Sequence, residues 1–97
     1  MDEMLQIEHF KPHVGKTVRF KGTRFAFPLE RIIVDRKRSK GLKRKSFMLI
    51  FRGPKEPEHL PEGLYDCEIE NGPTYPIYVA PVHTPEPDRQ DYQAVFN

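Results

Sequence analysis

The sequence is poor in the features that assign a chain to a secreted or membrane-spanning class. Its only cysteine is Cys67, so no disulfide can form within the chain, and a reducing, cytoplasmic setting is expected. The longest apolar run is FMLIF, residues 47–51, far shorter than the roughly 20 residues of a membrane-spanning helix. Asp2, Glu3 and Glu8 stand where a signal peptide has its apolar segment. Neither export nor a membrane partner is expected from these residues.

Residue sets that support common catalytic chemistry are also scarce. KGLK and FRGP lack both the glycine spacing of a phosphate-binding loop and the helix that follows it. His9 and His13 are four residues apart and would share one face of a helix. Pro12 disturbs that helix, however, and no third metal ligand lies within sequence reach. We therefore expect no metal and no cofactor.

The cysteine and a pair of glutamates fit ordinary positions in a strand. Cys67 is in phase with Tyr65 and Ile69, which is typical of a small buried residue, whereas a nucleophile would need a histidine or a positive field beside it. Glu68 and Glu70 share one strand face, an arrangement similar to that of a catalytic carboxylate pair. That face, however, is the polar, solvent side of a half-buried strand. No catalytic residue is expected, and the chain is predicted to be non-enzymatic.

What is present is the composition of one small globular domain spanning residues 1–97. Hydrophobic residues make up 37% of the chain and charged residues 31%, which is typical of a globular protein. Ten prolines are about twice the usual share and favour turns over helices. The sequence has no internal repeat, and an all-β fold is the expected class.

One short helix is predicted near the N-terminus. Ile7, Phe10 and Val14 follow the helical spacing i, i+3, i+7. Pro12 lies within this segment and limits the helix to one or two turns before Gly15. We expect this helix to plug an open end of the β structure.

Six strands are predicted from the alternation of apolar and polar residues. The second strand changes phase, with Phe27 and Leu29 on one face before Ile32 and Val34, which predicts a β-bulge near residues 30 and 31. The third strand has apolar residues on both faces, so we expect a central strand that is covered on both sides. The predicted strands lie in KTVRFKG, RFAFPLERIIVDR, KSFMLIFRGP, LYDCEIENG, TYPIYVAPVH and YQAVFN.

Hairpin spacing of these strands predicts a small six-stranded antiparallel barrel or tight sandwich. Asn71-Gly72 indicates a hairpin turn between the fourth and fifth strands. Pro76 and Pro81 place the fifth strand at an edge, or give it frayed ends. The last strand is expected to complete the core with Tyr92, Ala94 and Phe96.

Five segments together carry a family resemblance: IEHFKPHVGKTVRF, FMLIFRGP, LPEGLYDCEIENG, YVAPV and YQAVFN. They resemble a family of small, uncharacterised bacterial proteins that is classed as a domain of unknown function. The likeness covers residues 5–22 and 46–97, and FRGP with the ending YQAVFN is its most specific part. Members of that family often occur beside phage-tail-like collar proteins, so the resemblance implies a structural or assembly role and no catalytic residue.

A basic stretch between the second and third predicted strands departs from the pattern of that family. Residues 36–45 contain seven basic and no acidic side chains. The rest of the chain contains nine Lys and Arg residues and fourteen Asp and Glu residues, so its formal charge is −5. Such an uneven distribution favours an oriented encounter with an anionic partner. The basic residues are Arg36, Lys37, Arg38, Lys40, Lys43, Arg44 and Lys45.

Two functions fit this pattern. The first, which we prefer, is a non-enzymatic structural or protein-interaction module with a solvated or protein-facing basic hairpin and a protein partner, as an accessory of a phage-tail-like assembly. The second is a nucleic-acid-binding module that uses the hairpin, because clustered Lys and Arg meet the charge requirement for phosphate contacts. Residues 35–46 contain no aromatic side chain on which bases could stack. The sequence leaves the oligomeric state open.

Overall fold

The structure, a computed structural model, describes residues 5–35 and 46–96. A one-turn helix, α1 (Ile7–Phe10), continues into a 3-10 turn (Lys11–His13). Six strands follow: β1 (Thr17–Phe20), β2 (Ala26–Asp35), β3 (Ser46–Pro54), β4 (Gly63–Ile69), β5 (Thr74–Val82) and β6 (Arg89–Phe96). They close into an antiparallel barrel in the order β1-β2-β3-β6-β5-β4, which confirms the predicted all-β, six-stranded fold. Within the described residues, no helix is long and apolar enough to cross a membrane.

The barrel interior is filled by alternate side chains of each strand, because successive residues of a strand point to opposite faces. The rings of Phe27 and Tyr92 stack across it with centroids 4.6 Å apart. Large aromatic and branched side chains leave no room for an aqueous channel in a barrel of this size. The predicted inward residues that are buried are Val18, Phe20, Phe27, Leu29, Phe47, Leu49, Phe51, Cys67, Ile69, Ile77, Val79, Tyr92 and Ala94.

The predicted bulge in β2 is confirmed. Leu29 pairs with Phe51 and Arg31 pairs with Ile50, so Glu30 is the extra residue between them. One additional residue reverses which side chains face inward, because the side-chain period of a strand is two. Ile32 and Val34 consequently pack against the core beyond the bulge, as the change of apolar phase predicted.

The predicted N-terminal plug is also confirmed. Ile7 and Phe10 of α1 are buried, and the Phe10 ring lies 5.4 Å from the rings of both Tyr75 and Phe96. The third position of the predicted helical pattern is wrong, because Val14 is 44% exposed. The helix has already given way to the 3-10 turn at Pro12, and Val14 lies in the turn that leads into β1.

The opposite end of the barrel is closed by the segment between β3 and β4, residues 55–62. Leu60 in this segment is fully buried, and its backbone N–H donates a hydrogen bond of 3.0 Å to the Tyr92 hydroxyl. Arg24 donates a hydrogen bond of 2.8 Å to Glu58 from the neighbouring β1–β2 turn. A single apolar residue among prolines and glutamates has no periodicity that would predict its burial.

The predicted edge character of β5 is partly right. β5 pairs with β4 over most of its length, and Pro76 lies opposite Asp66 in that pairing. On its other side, pairing with β6 covers only Ala80 to Val82, and it stops there within the described parts of both strands. The strands β5 and β6 are therefore unpaired next to α1, which leaves an open seam in the barrel wall. Pro76 lies along this seam, where a missing N–H costs no ladder hydrogen bond.

Candidate interaction surface

The basic stretch identified from the sequence lies outside the described residues. β2 ends at Asp35 and β3 begins at Ser46, and these two residues face each other in the antiparallel pair. The predicted neighbouring strands on either side of the stretch are thus confirmed. The seven candidate contact residues outside the description are Arg36, Lys37, Arg38, Lys40, Lys43, Arg44 and Lys45.

An exposed apolar row crosses the outer face of the barrel close to these two strand ends. Ile33 of β2 lies opposite Met48 of β3, and Met48 lies opposite Val95 of β6. Ile33 is 37% exposed and Val95 is 48% exposed, while Met48 is half-buried. Directly opposed residues in antiparallel strands have Cβ atoms roughly 4.5–5.5 Å apart, so the three side chains form one surface. We call these three residues the outer row.

The outer row corrects the prediction that β3 is covered on both sides. Ile50 is indeed buried on the outer face, but Met48 is only half-buried, and its neighbours on β2 and β6 are exposed. The signal was present in the sequence, because the phase change at the bulge turns Ile33 outward when Ile32 and Val34 turn inward. The same alternation turns Val95 outward, because Ala94 and Phe96 on either side of it turn inward.

A second exposed apolar pair lies on the neighbouring part of the barrel. Leu64 of β4 faces Tyr78 of β5, and they are 69% and 55% exposed. The Tyr78 hydroxyl donates a hydrogen bond to the Glu62 carboxylate, and this bond raises the pKa of Tyr78. Such cross-strand pairs stabilise a sheet, so this pair has a structural reason to be apolar that does not require a partner.

An ion cluster lies below the outer row, at the β2 bulge. Arg89 of β6 donates one hydrogen bond of 2.7 Å from Nε to Asp91, and two more of 2.8 and 2.9 Å from Nη2 to the carboxylate oxygens of Glu30. Arg52 and Arg31 approach the same carboxylate to 3.7 and 4.0 Å. The Arg89 guanidinium holds the pKa of Glu30 below its ordinary value. Since β2 and β6 both flank β3, the cluster joins the two outer neighbours of that strand.

The ion cluster lines an open pocket of about 480 Å³, together with the segment that links β5 to β6. His83, Thr84 and Glu86 contribute polar groups from that segment. The Thr84 hydroxyl donates to Glu86, and the acidic and basic groups of the wall largely pair with one another. An arrangement in which the charges already satisfy each other stabilises the bulge and carries no specific indication of a ligand.

The other chemical candidates from the sequence occupy structural positions. The Gln6 backbone N–H donates a hydrogen bond of 2.9 Å to His9 Nδ1, while His13 Nδ1 lies 3.3 Å from the Lys16 amine. No group of three metal-ligating side chains occurs in the described part of the chain. Cys67 is fully buried as predicted, and burial raises the pKa of its thiol to about 12, which keeps the sulfur protonated at neutral pH.

The two carboxylates considered in the sequence line the same open depression on the barrel surface. Glu68 forms an ion pair with Arg19 on the neighbouring strand β1, with Nε and Oε1 3.5 Å apart. Glu70 lies just beyond the end of β4, is exposed, and donates its backbone N–H to the Thr17 carbonyl. Both residues are on the polar side of the strand, as the sequence predicted.

Comparison with known proteins confirms one part of the predicted resemblance, membership of a domain of unknown function. A family model described as "Domain of unknown function (DUF6916)" matches residues 5–96. No curated protein and no solved structure matches the chain. The family match includes all six strands, the N-terminal plug and the outer row. The chain therefore belongs to the family described as Domain of unknown function (DUF6916).

Proposed function

We propose that the protein is a non-enzymatic interaction module that binds a partner protein through the outer row. The observation that carries this proposal is the exposure of Ile33 and Val95 on either side of Met48 on the outside of the barrel. Exposed apolar surface of this kind is characteristic of the centre of protein interfaces, where contact with a partner removes it from water.

The charge distribution supports an acidic partner. The basic stretch of residues 36–45 joins β2 to β3 in the sequence, and Ile33 and Met48 are each two residues from the strand ends that it connects. An apolar centre beside a set of like charges gives both contact area and electrostatic steering. Seven positive charges would accelerate the encounter with an acidic surface, while the outer row would slow dissociation.

The family resemblance supports a place for this module in a larger assembly. We propose that it acts in the bacterial cytoplasm as an accessory of a phage-tail-like assembly, because relatives of this type often stand beside collar proteins of such assemblies. An assembly protein needs surfaces that contact its neighbours and needs no catalytic centre. A closed barrel with structural roles for His9, His13, Cys67 and the ion cluster is consistent with that requirement.

The test is a binding experiment with matched surface variants. A tagged protein would be used to capture partners from a nuclease-treated lysate of the source cells, and the captured partner would then be titrated as a purified protein. The double variant Ile33→Thr/Val95→Thr keeps β-branched residues in both strands but removes apolar surface from the outer row. We expect at least a tenfold loss of affinity, with an unchanged melting temperature.

The control is Leu64→Thr, which removes an apolar side chain that is 69% exposed elsewhere on the barrel. It should bind the partner as tightly as the unmodified protein. Equal losses in the control and the double variant would show that the outer row is not the contact surface. The proposal is also contradicted if the double variant retains full affinity.

Nucleic-acid binding through the basic stretch is the second candidate, and the charge count alone favours it. Under this function, the logarithm of the binding constant falls with the logarithm of salt concentration by about 0.7–0.9 for each phosphate contacted. Replacing all seven basic residues of 36–45 by Ser or Gln should then abolish binding without changing the melting temperature. Micromolar or tighter binding at roughly 150 mM salt, lost on these replacements, would establish it, because non-specific contacts are usually weaker.

A further inference from the structure

The N-terminal plug, residues 5–13, is attached to the strands of the barrel by side-chain packing. Ile7 and Phe10 are buried, and the Phe10 ring contacts the rings of Phe47, Tyr75 and Phe96 at centroid distances of 6.0, 5.4 and 5.4 Å. The hydrogen bonds of the plug stay local: the His9 backbone N–H donates to the Gln6 carbonyl, and Gln6 N–H donates to the His9 ring. Between described residues, no hydrogen bond joins the plug to a strand.

The site that receives the plug is an opening in the barrel wall. β5 and β6 stop pairing at Ala80 and Gln93, and beyond that point Tyr75 and Phe96 lie on opposite sides of the open seam. Phe10 fills the space between them, and Phe47 of β3 forms the floor. We call this aromatic site the socket. Phe10 completes the socket, and the plug that carries Phe10 is joined to the strands through residues 13–16.

That connection is a tight turn over residues 13–16. The Lys16 N–H donates a hydrogen bond of 3.0 Å to the His13 carbonyl. Val14 has φ −60° and ψ 130°, and Gly15 has φ +93°, which are the values of a type II turn. Gly15 N–H, within this turn, donates to the Leu29 carbonyl and so holds the C-terminal half of the turn to β2. Residues 13–16 therefore form a hinge between the plug and the barrel.

We propose that the plug also enters the socket of a second copy of the chain, so that two copies exchange their plugs and form a dimer. A second copy carries the one segment that the structure shows to fit the socket, with apolar and aromatic anchors at Ile7 and Phe10. The exchange keeps every contact of the plug, and the remaining differences are the hinge conformation and the entropy of association. No plug–strand hydrogen bond has to break, so opening the hinge exposes the apolar surface of the plug and breaks the hydrogen bond that closes the turn at Lys16.

The hinge provides a direct test, since its conformation disfavours any residue other than glycine. Gly15→Ala strains the turn in the closed monomer, whereas an opened hinge lets the substituted residue adopt an extended conformation. Strain of this kind shifts the equilibrium from the closed to the opened hinge by roughly 5- to 30-fold for each hinge. Analytical ultracentrifugation over a concentration series should show a dimer for Gly15→Ala at concentrations where the unmodified protein is mostly monomeric.

Gly22 offers a matched control within the same chain. It has φ +86°, and a Cβ there would meet no atom within 4 Å, as at Gly15. It lies in the β1–β2 turn, which is closed by the Thr23 N–H donating to the Phe20 carbonyl, and no plug depends on it. Gly22→Ala should lower stability to a similar extent but leave the monomer–dimer balance unchanged. Equal dimer fractions in the two variants would overturn the proposal.

A cross-linking experiment identifies the dimer and does not depend on the hinge variants folding. The ring centroids of His9 and Tyr75 are 5.7 Å apart, so these positions report that the plug is in the socket. A chain carrying His9→Cys is mixed at high concentration with a differently tagged chain carrying Tyr75→Cys, and a short bis-maleimide is added. We expect a covalent heterodimer, and none when Leu64→Cys, 69% exposed on another part of the barrel, replaces Tyr75→Cys. Absence of the His9–Tyr75 product, or equal yields from both mixtures, contradicts plug exchange.

Discussion

Replacement of Glu30 by glutamine tests whether the ion cluster stabilises the barrel. The side chains of Glu30 and Arg89 are 27% and 16% exposed, so their ion pair is neither fully buried nor free in solvent. Hydrogen bonds to charged groups contribute about 1.5–3 kcal/mol when buried, and exposed ion pairs about 0.2–1 kcal/mol. We expect Glu30→Gln to lower the free energy of unfolding by about 1.5 kcal/mol at pH 7. For a domain of this size the melting temperature would fall by roughly 6–12 °C.

The effect of pH follows from the direction of the pKa shift. Arg89 holds the pKa of Glu30 below the ordinary value of 4.5 in the folded protein, so the unfolded chain takes up the proton first as the pH falls. The stabilisation by the charged carboxylate is complete above the unfolded pKa and is lost as the pH falls through the folded pKa. The difference between the original protein and Glu30→Gln should therefore stay constant from about pH 6 to 8 and shrink below roughly pH 4.5.

Urea unfolding monitored by circular dichroism between pH 2.5 and 8 would measure this difference. The matched control is Glu68→Gln, because Glu68 pairs with Arg19 at 3.5 Å while their side chains are 40% and 70% exposed. That variant should lose less than about 0.5 kcal/mol at any pH. The reasoning is refuted if Glu30→Gln is as stable as the original protein at pH 7. It is equally refuted if their difference does not change between pH 7 and pH 2.5.

Three further predictions concern the core. Deleting residues 92–97 removes the buried Tyr92, which contributes roughly 3–5 kcal/mol, together with the half-buried Phe96, so circular dichroism of the shortened chain should show no cooperative melt. A melt within a few degrees of the full-length protein would mean that β6 is dispensable. Tyr92→Phe leaves the buried N–H of Leu60 without its hydroxyl acceptor and should cost about 1–3 kcal/mol in urea unfolding; an unchanged midpoint would contradict this. The Cys67 thiol, with its pKa raised to about 12, should not react with a disulfide reagent at pH 8 until the protein unfolds; rapid labelling of the native protein would disprove its burial.

Features that depend on local alternation could be predicted from the sequence. The strands, the bulge at Glu30 and the inward residues of β6 follow from apolar residues at period two, because burial on one face imposes that period. Ile33 could have been placed outside by the same rule. The contact of Arg89 with Glu30 could not, since these residues are 59 positions apart and meet only through the register of β2, β3 and β6.

The two ends of the barrel also differ in how far they could be predicted from the sequence. Phe10 belonged to a recognisable helical pattern, and its role as a plug was predicted. Leu60 stands alone among prolines and glutamates, so nothing in its neighbourhood distinguishes it from an exposed loop residue. Its backbone N–H is bonded to a distant partner, the hydroxyl of Tyr92, which no local pattern indicates. The function proposed for the basic stretch remains a prediction, because residues 36–45 lie outside the described structure.

The position of Phe10 also bears on how the chain acquires its structure during synthesis. Its ring is packed against Phe47, Tyr75 and Phe96, so the first helix is completed by the last strand. β1 likewise pairs with β4, and β3 pairs with β6, so each needs a strand that is synthesised later. Contacts of such wide sequence separation require large loops to close before they stabilise anything, which places folding in the millisecond-to-second range of β-barrel proteins. The ribosome must therefore release β6 before the barrel can close, and until then the aromatic side chains of the socket are accessible to chaperones and to other nascent chains.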